Sequence, residues 1–212
     1  MQMSTDLYSV AVIGTGTMGK GIVQILAQSN QISTVFWKGR SLATVNESLV
    51  ELENLWSRQV KKGRLEESLS SQYREKIVSV EHYTSLSDSK LIIEAIAENV
   101  DAKQAIFKEL STISSSNMVL ASNTSSLSIT GLASLCAFPQ NVVGLHFFNP
   151  APIMKLTDVI AGLATSTATL DWAVDFSKKL GKEPVIVNEA PGFIVNRMLI
   201  PMINEAIGIL AE

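Results

Sequence analysis

Three features of this 212-residue chain predict an α/β class with a doubly wound, mostly parallel sheet. Short apolar runs show no period-two alternation, amphipathic helical stretches separate them, and a glycine-rich turn follows the first run directly. A strand covered by helices on both faces needs an apolar side chain at every position, whereas a strand with one wet face alternates.

Tyr8 to Ile13 is such a run and stops at Gly14, so it is expected as the first strand. Met18 to Gln28 follows as a helix, with Ile22, Ile25 and Leu26 on one buried stripe. Thr34 to Trp37 predicts a second strand, and Leu42 to Lys62 a long amphipathic helix with Leu49, Leu52 and Trp56 in register, closed at Gly63. Further strands are expected at Lys76 to Val80, Leu91 to Ala95, Val119 to Ser122, Val142 to His146, Leu156 to Ile160 and Pro184 to Val187. Among them come helices at Val100 to Ile113 and at Thr167 to Leu180, the latter stopped by Gly181. Beyond Pro191-Gly192 the pattern changes, and Phe193 to Leu210 reads as one helix so apolar that it needs cover on several sides. The expected division is therefore 1–190 for the sheet domain and 191–212 for the first helix of an α-helical domain whose remainder is absent.

Composition narrows the function classes. There are 17 Lys and Arg against 20 Asp and Glu, a formal charge of −3, and 46% hydrophobic residues, an ordinary globular balance. No basic run exceeds Lys61-Lys62, so neither nucleic acid nor an anionic membrane is the expected partner. The single cysteine, Cys136, excludes an intrachain disulfide framework and a cysteine-based zinc cluster. No apolar run approaches the roughly 18–20 residues of a membrane span. Met1 to Asp6 offers acid and hydroxyls where a secretory leader would carry a basic region and an apolar core, so a reducing, cytoplasmic setting is expected.

The turn after the first strand reads Gly14-Thr-Gly16-Thr17-Met18-Gly19-Lys-Gly21. Gly14 permits the tight turn, Gly16 lets the backbone approach a pyrophosphate, Gly19 lets helix pack on strand, and Thr17 and Met18 open the helix whose N-terminus faces the phosphates. In this strand-turn-helix context the turn predicts a Rossmann-type dinucleotide site. Such sites carry an acid about 20 residues on, at the end of the second strand, for the adenosine ribose. Here Trp37-Lys38-Gly39-Arg40-Ser41 stands in that place. Two cations and a hydroxyl suit a 2′-phosphate, so NADP(H) is favoured and NAD(H) is left open.

Of the two histidines, His82 falls in a polar loop and is expected at the surface, whereas His146 ends a strand, where open α/β sheets bind ligands. Its imidazole can exchange a proton near neutral pH. Ser125 follows another strand at the same end of the sheet and could bind a substrate oxygen, and Asp158, on the next strand, could hold the second imidazole nitrogen. A Ser-His-Asp hydrolase built from these three would lack the G-x-S-x-G elbow and leave the glycine turn without a role.

The stretches GTGTMGKG, EAIAENVDAKQAIF, ASNTSSLSI, GLHFFNPAPIMKL and EAPGFIVNR, in this order, closely resemble the 3-hydroxyacyl-CoA dehydrogenases, including the bacterial 3-hydroxybutyryl-CoA enzymes. The resemblance implies reversible oxidation of an L-3-hydroxyacyl-CoA with NAD(P). It implies His146 as the base, Ser125 and Asn196 on the substrate 3-oxygen, and Glu98, Lys103 and Asn149 about the nicotinamide and its ribose. Lys61 or Lys62 is implied near the CoA phosphates, and a homodimer formed through the helical domain. The chain departs from the family pattern in three ways: Asp158 stands for a glutamate, Lys38 stands for the ribose-binding aspartate, and the helical domain is represented by one helix. Two other readings accompany this one, a dehydrogenase of a small free hydroxy acid and a cofactor-binding module without turnover.

Overall fold

The computed structural model describes residues 7–212; the reading of Met1–Asp6 lies outside them. Eight strands form one sheet: β1 (Tyr8–Ile13), β2 (Ile32–Lys38), β3 (Ile77–Val80), β4 (Leu91–Glu94), β5 (Val119–Ser122), β6 (Val142–Phe147), β7 (Leu156–Ala161) and β8 (Glu183–Asn188). Their order across the sheet is β3-β2-β1-β4-β5-β6-β7-β8. Every neighbouring pair is parallel except β6 with β7. The order reverses between β1 and β4, and the carboxyl ends of these two strands define the crevice where such sheets take ligands.

The helices are α1 (Thr17–Gln28), α2 (Leu42–Lys61), α3 (Glu67–Glu75), α4 (Val100–Ile113), α5 (Ile129–Ala133), α6 (Thr167–Lys179) and α7 (Val195–Ala211). They cover both faces of the sheet. Val10, Val12, Ile93 and Leu145 face the core built with Ile22 and Leu26 of α1, Leu49 and Trp56 of α2 and Phe176 of α6. Ala11, Ile13, Ile92 and Leu120 face the other, with Phe107 and Leu110 of α4 and Leu132 of α5. That division explains the continuous apolar strands: consecutive residues serve opposite cores.

The expected strands and long helices are all present, with ends displaced by a residue or two where local hydrogen bonding decides them. Helix α3 and the five-residue α5 carry no signal in the sequence pattern. Helix α3 reads ESLSSQYRE and buries none of its residues. Its anchor is tertiary, the Tyr73 ring against Trp56 at 5.8 Å and an Arg74–Glu53 ion pair to α2. Helix α7 begins two residues later than its apolar pattern, because Gly192 and Phe193 adopt positive φ of 75° and 49° and turn the chain. None of its side chains is buried. Among the described residues no helix is long and apolar enough to cross a membrane.

Candidate functional site

The glycine turn lies at the crevice, and each glycine has a different reason to be there. Gly14 has φ 123°, and a Cβ on it would stand 2.3 Å from the Ala95 carbonyl oxygen on the loop after β4. On Gly19 a Cβ would meet the Gly14 carbonyl oxygen at 2.2 Å, so this residue lets α1 close onto β1. A Cβ on Gly16 would meet nothing within 4 Å. Gly16 is also the N-cap of α1, provides no side-chain acceptor, and precedes a first turn without acids. The helix N-terminus therefore faces open space with its amides and dipole, the arrangement a pyrophosphate needs.

That space is a cavity of about 880 Å³, lined by the Ile13–Met18 turn, Ala95–Ala97, Ala102 and Ile106 on one side and Lys38, Gly39, Arg40 and Tyr83 on the other. Of the expected cofactor residues it brings together Gly14, Gly16, Thr17, Met18, Lys38 and Arg40. The residues present thus fit a dinucleotide: a backbone cradle for phosphates and a cationic wall at the end of β2, where such folds hold the adenosine ribose.

A second group of residues stands at the carboxyl ends of β4, β5 and β6. Antiparallel pairing sets His146 directly opposite Asp158, and Nδ1 of His146 lies 3.1 Å from Oδ2 of Asp158. An ionised carboxylate only accepts hydrogen bonds, so Nδ1 carries the proton and Nε2 is left basic. The shorter aspartate still makes a direct bond, because facing residues on antiparallel strands bring their side chains together. Asp158 is buried and His146 keeps only 11% of its side chain exposed. Phe148 and Phe193 pack on the imidazole, at centroid distances of 4.5 and 5.9 Å.

The loop after β5 is tied to its neighbours. Asn123 accepts from the Phe147 amide at 2.8 Å, fastening this loop to the end of β6. Glu98 accepts from the Thr124 hydroxyl, from the Ser125 amide at 2.9 Å, and from the Ser125 and Ser126 hydroxyls at 3.2 and 3.3 Å. Burial pushes the Glu98 carboxyl up, but the bonds from Thr124 and Ser125 and the Lys103 charge outweigh it and hold it below the usual carboxylate range.

Beneath this loop lies a buried charge pair that the sequence reading missed in part. Lys103, 1% exposed, bonds Oε1 of Glu94 at 2.6 Å and approaches Glu98 at 3.3 Å. Glu94 also receives the Ser122 hydroxyl and the Ile96 amide. Lys103 is therefore committed to two carboxylates rather than lining the cavity. The available signal for Glu94 was a lone acid closing the apolar run Leu91-Ile-Ile-Glu94 at the crevice.

The other expected residues are dispersed. Asn149 lines a second cavity of about 660 Å³ between α1, α2 and the segment 149–153, not the nucleotide cavity. Asn196 lies in the first turn of α7, three residues after Phe193, the ring that packs on His146. Lys61 and Lys62 are exposed at the end of α2, and His82 is exposed as expected. Among the described residues no group of three His, Cys, Asp or Glu could hold a metal ion.

Comparison with known proteins bears on the family and the fold. Residues 9–190 match the family model described as 3-hydroxyacyl-CoA dehydrogenase, NAD binding domain. A 3-hydroxybutyryl-CoA dehydrogenase of Clostridioides difficile is 44% identical over 203 residues, which is 96% of this chain and 72% of that protein. The human mitochondrial hydroxyacyl-coenzyme A dehydrogenase is 39% identical over 205 residues, 93% of this chain and 64% of the relative. The crystal structure of (S)-3-hydroxybutyryl-CoA dehydrogenase from Ralstonia eutropha superposes with a TM-score of 0.92 at 39% identity, covering 97% of this chain and 72% of that one. With a matching family model over residues 9–190, a fold that superposes on a solved relative and this degree of identity along nearly its whole length, the chain belongs to the 3-hydroxyacyl-CoA dehydrogenase family.

Proposed function

We propose that the protein interconverts L-3-hydroxyacyl-CoA, with 3-hydroxybutyryl-CoA the preferred substrate, and the corresponding 3-ketoacyl-CoA, using NAD(P). The observation that carries this reading is the directly bonded His146–Asp158 pair on adjacent antiparallel strands, at the end of β6 to which the loop carrying Ser125 is fastened. Bound nicotinamide supplies the hydride acceptor, and that chemistry is the cofactor's own.

The chain's residues manage the proton and the oxygen. With Nδ1 held by Asp158, Nε2 of His146 removes the proton from the substrate hydroxyl as C3 loses hydride. Asp158 stabilises the resulting imidazolium. Such general base catalysis contributes on the order of 10²–10⁴-fold. In the reverse direction the same imidazolium returns the proton. Ser125 and Asn196 position the substrate oxygen. The Ser125 hydroxyl now donates to Glu98 and turns from it to serve substrate, while Glu98 keeps the Thr124, Ser126 and backbone donors. Lys103 and Glu94 anchor Glu98 from below.

The finer assignments rest on separate observations. NADP(H) is favoured by Lys38 and Arg40 on the cavity wall. Lys61 and Lys62 are available to CoA phosphates. Helix α7, with Met198, Ile203 and Ile207 exposed, is assigned as the leading helix of a helical substrate and dimer domain spanning from 191 onward. The lone cysteine suits a cytoplasmic setting.

One assay tests the central claim. His146→Gln is expected to abolish reduction of acetoacetyl-CoA while leaving the affinity for reduced cofactor intact, as read by nicotinamide fluorescence. Equal loss of both would reject the base assignment. Faster turnover of free acetoacetate than of acetoacetyl-CoA would favour a free hydroxy acid as substrate.

A further inference from the structure

Lys38 ends β2, opposite Ile13 and beside the glycine turn, at the strand end where the adenosine ribose of a bound dinucleotide falls. It is only 9% exposed. A cation so buried ordinarily has an anionic partner, because desolvation is otherwise uncompensated. Among the described residues no carboxylate lies within 4 Å of its ammonium. Its recorded neighbours are the Gly39 carbonyl oxygen at 3.2 Å and the face of the Tyr83 ring, 4.4 Å from the centroid. Lys38 and Tyr83 both line the nucleotide cavity, together with Arg40.

The turn between the two cations constrains where they can point. A Cβ on Gly39 would lie 2.8 to 2.9 Å from Thr44, Thr15 and Val45, so positions 38 and 40 are the ones that present side chains. Ser41 then caps α2, whose first turn contains no acid to repel an anion. Tyr83 opens a short 3-10 turn, Tyr83–Leu86, held down by fully buried Leu86; it packs against the core on the α4 face of the sheet and lines the cavity together with Ile96 and Ile106. Burial, with the Glu109 charge nearby, raises the phenol above its ordinary range, so the ring stays neutral.

We propose that Tyr83 is a cofactor-specificity residue, whose ring face holds the Lys38 ammonium on the wall of the nucleotide cavity where it pairs with the 2′-phosphate of NADP(H). This rests on the reading that Lys38 and Arg40 receive that phosphate. The ring supplies part of the stabilisation that a carboxylate would give, without neutralising the cation. A carboxylate there would satisfy Lys38 and destroy the anion site. The aromatic face leaves the charge available to the ligand, and the bound phosphate supplies the missing partner.

The test titrates the full chain with NADPH and with NADH, following nicotinamide fluorescence, for the parent and three variants. Tyr83→Leu is expected to weaken NADPH roughly three- to tenfold, the effect of losing one partly desolvated cation–π contact, with NADH unchanged. Tyr83→Phe keeps the π face and is expected to match the parent. Lys38→Ala combined with Arg40→Ala is expected to lower NADPH affinity further and to spare NADH. If Tyr83→Leu weakens both cofactors equally, the ring is an adenine wall and the specificity role is overturned; no effect on either overturns it as well. If the Lys38/Arg40 variant lowers the NADPH-to-NADH affinity ratio while Tyr83→Leu does not, the Tyr83 role alone fails. If the Lys38/Arg40 variant leaves that ratio unchanged, the 2′-phosphate reading itself fails.

Discussion

Residue identity sets the chemistry of this site through pairs that are far apart in sequence. Glu94 and Lys103 are the clearest case, since both side chains are almost wholly excluded from water and each compensates the other. Lys103 keeps Glu98 if Glu94 is lost, but removing Lys103 leaves Glu94 buried without a cation. Lys103→Met is therefore expected to destabilise the fold by about 3–5 kcal/mol, measured by denaturant unfolding. A loss near zero would mean that water reaches Glu94 and that the pair is not a structural anchor. Asp158 shows the opposite economy. A side chain one methylene shorter than the family's glutamate suffices, because the antiparallel register places its Cα opposite that of His146.

At the level of elements, the turn from β1 into α1 separates folding from binding in neighbouring glycines. Gly16 has φ −70°, an ordinary backbone conformation, and open space where a Cβ would go. Gly16→Ala is expected to fold like the parent and to bind reduced cofactor more weakly, because the added methyl intrudes on the phosphate cradle. Gly19→Ala meets backbone at 2.2 Å and forces α1 away from β1, an overpacking expected to cost about 1–3 kcal/mol. Thermal melts and fluorescence titration distinguish the two variants, and equal stability of both would contradict the packing role given to Gly19. The helices whose apolar stripes recur at three and four residues were legible in the sequence. Helix α3 was not, because nine mostly polar residues with no buried member carry no periodic signal.

The whole molecule is organised by one sheet with a separate core on each face, and loops at both of its edges are held by depressed carboxylates, because β7 and β8 run opposite to the other strands. Glu98 fastens the loop after β5, and Glu189, just after β8, accepts from the amide and hydroxyl of Thr130 at the start of α5. Burial raises both carboxyls, yet hydrogen bonds from Thr124 and Ser125 in one case and Ser128 and Thr130 in the other bring each below the usual range. A group with a lowered folded pKa contributes stability that is full above its unfolded value, about pH 4.3 for glutamate, and fades as pH falls through the folded value. The melting temperature is expected to decline below about pH 4.3, and Glu189→Gln to lose less of its own stability over that range. An identical acid profile for parent and variant would remove Glu189 from the linkage.

Local patterning along the chain was enough to announce the sheet, its long helices, the phosphate turn and a histidine at a strand's carboxyl end. Each of these depends on residues within a few positions of one another, where period and glycine placement act directly. Strand direction at β7, the committed partners of Lys103, the anchoring of α3 and the meeting of Lys38 with Tyr83 depend on contacts between distant segments. Folding decides those, because burial and pairing exist only after separate elements have docked, and no local periodicity records which distant side chain will be waiting on the other side.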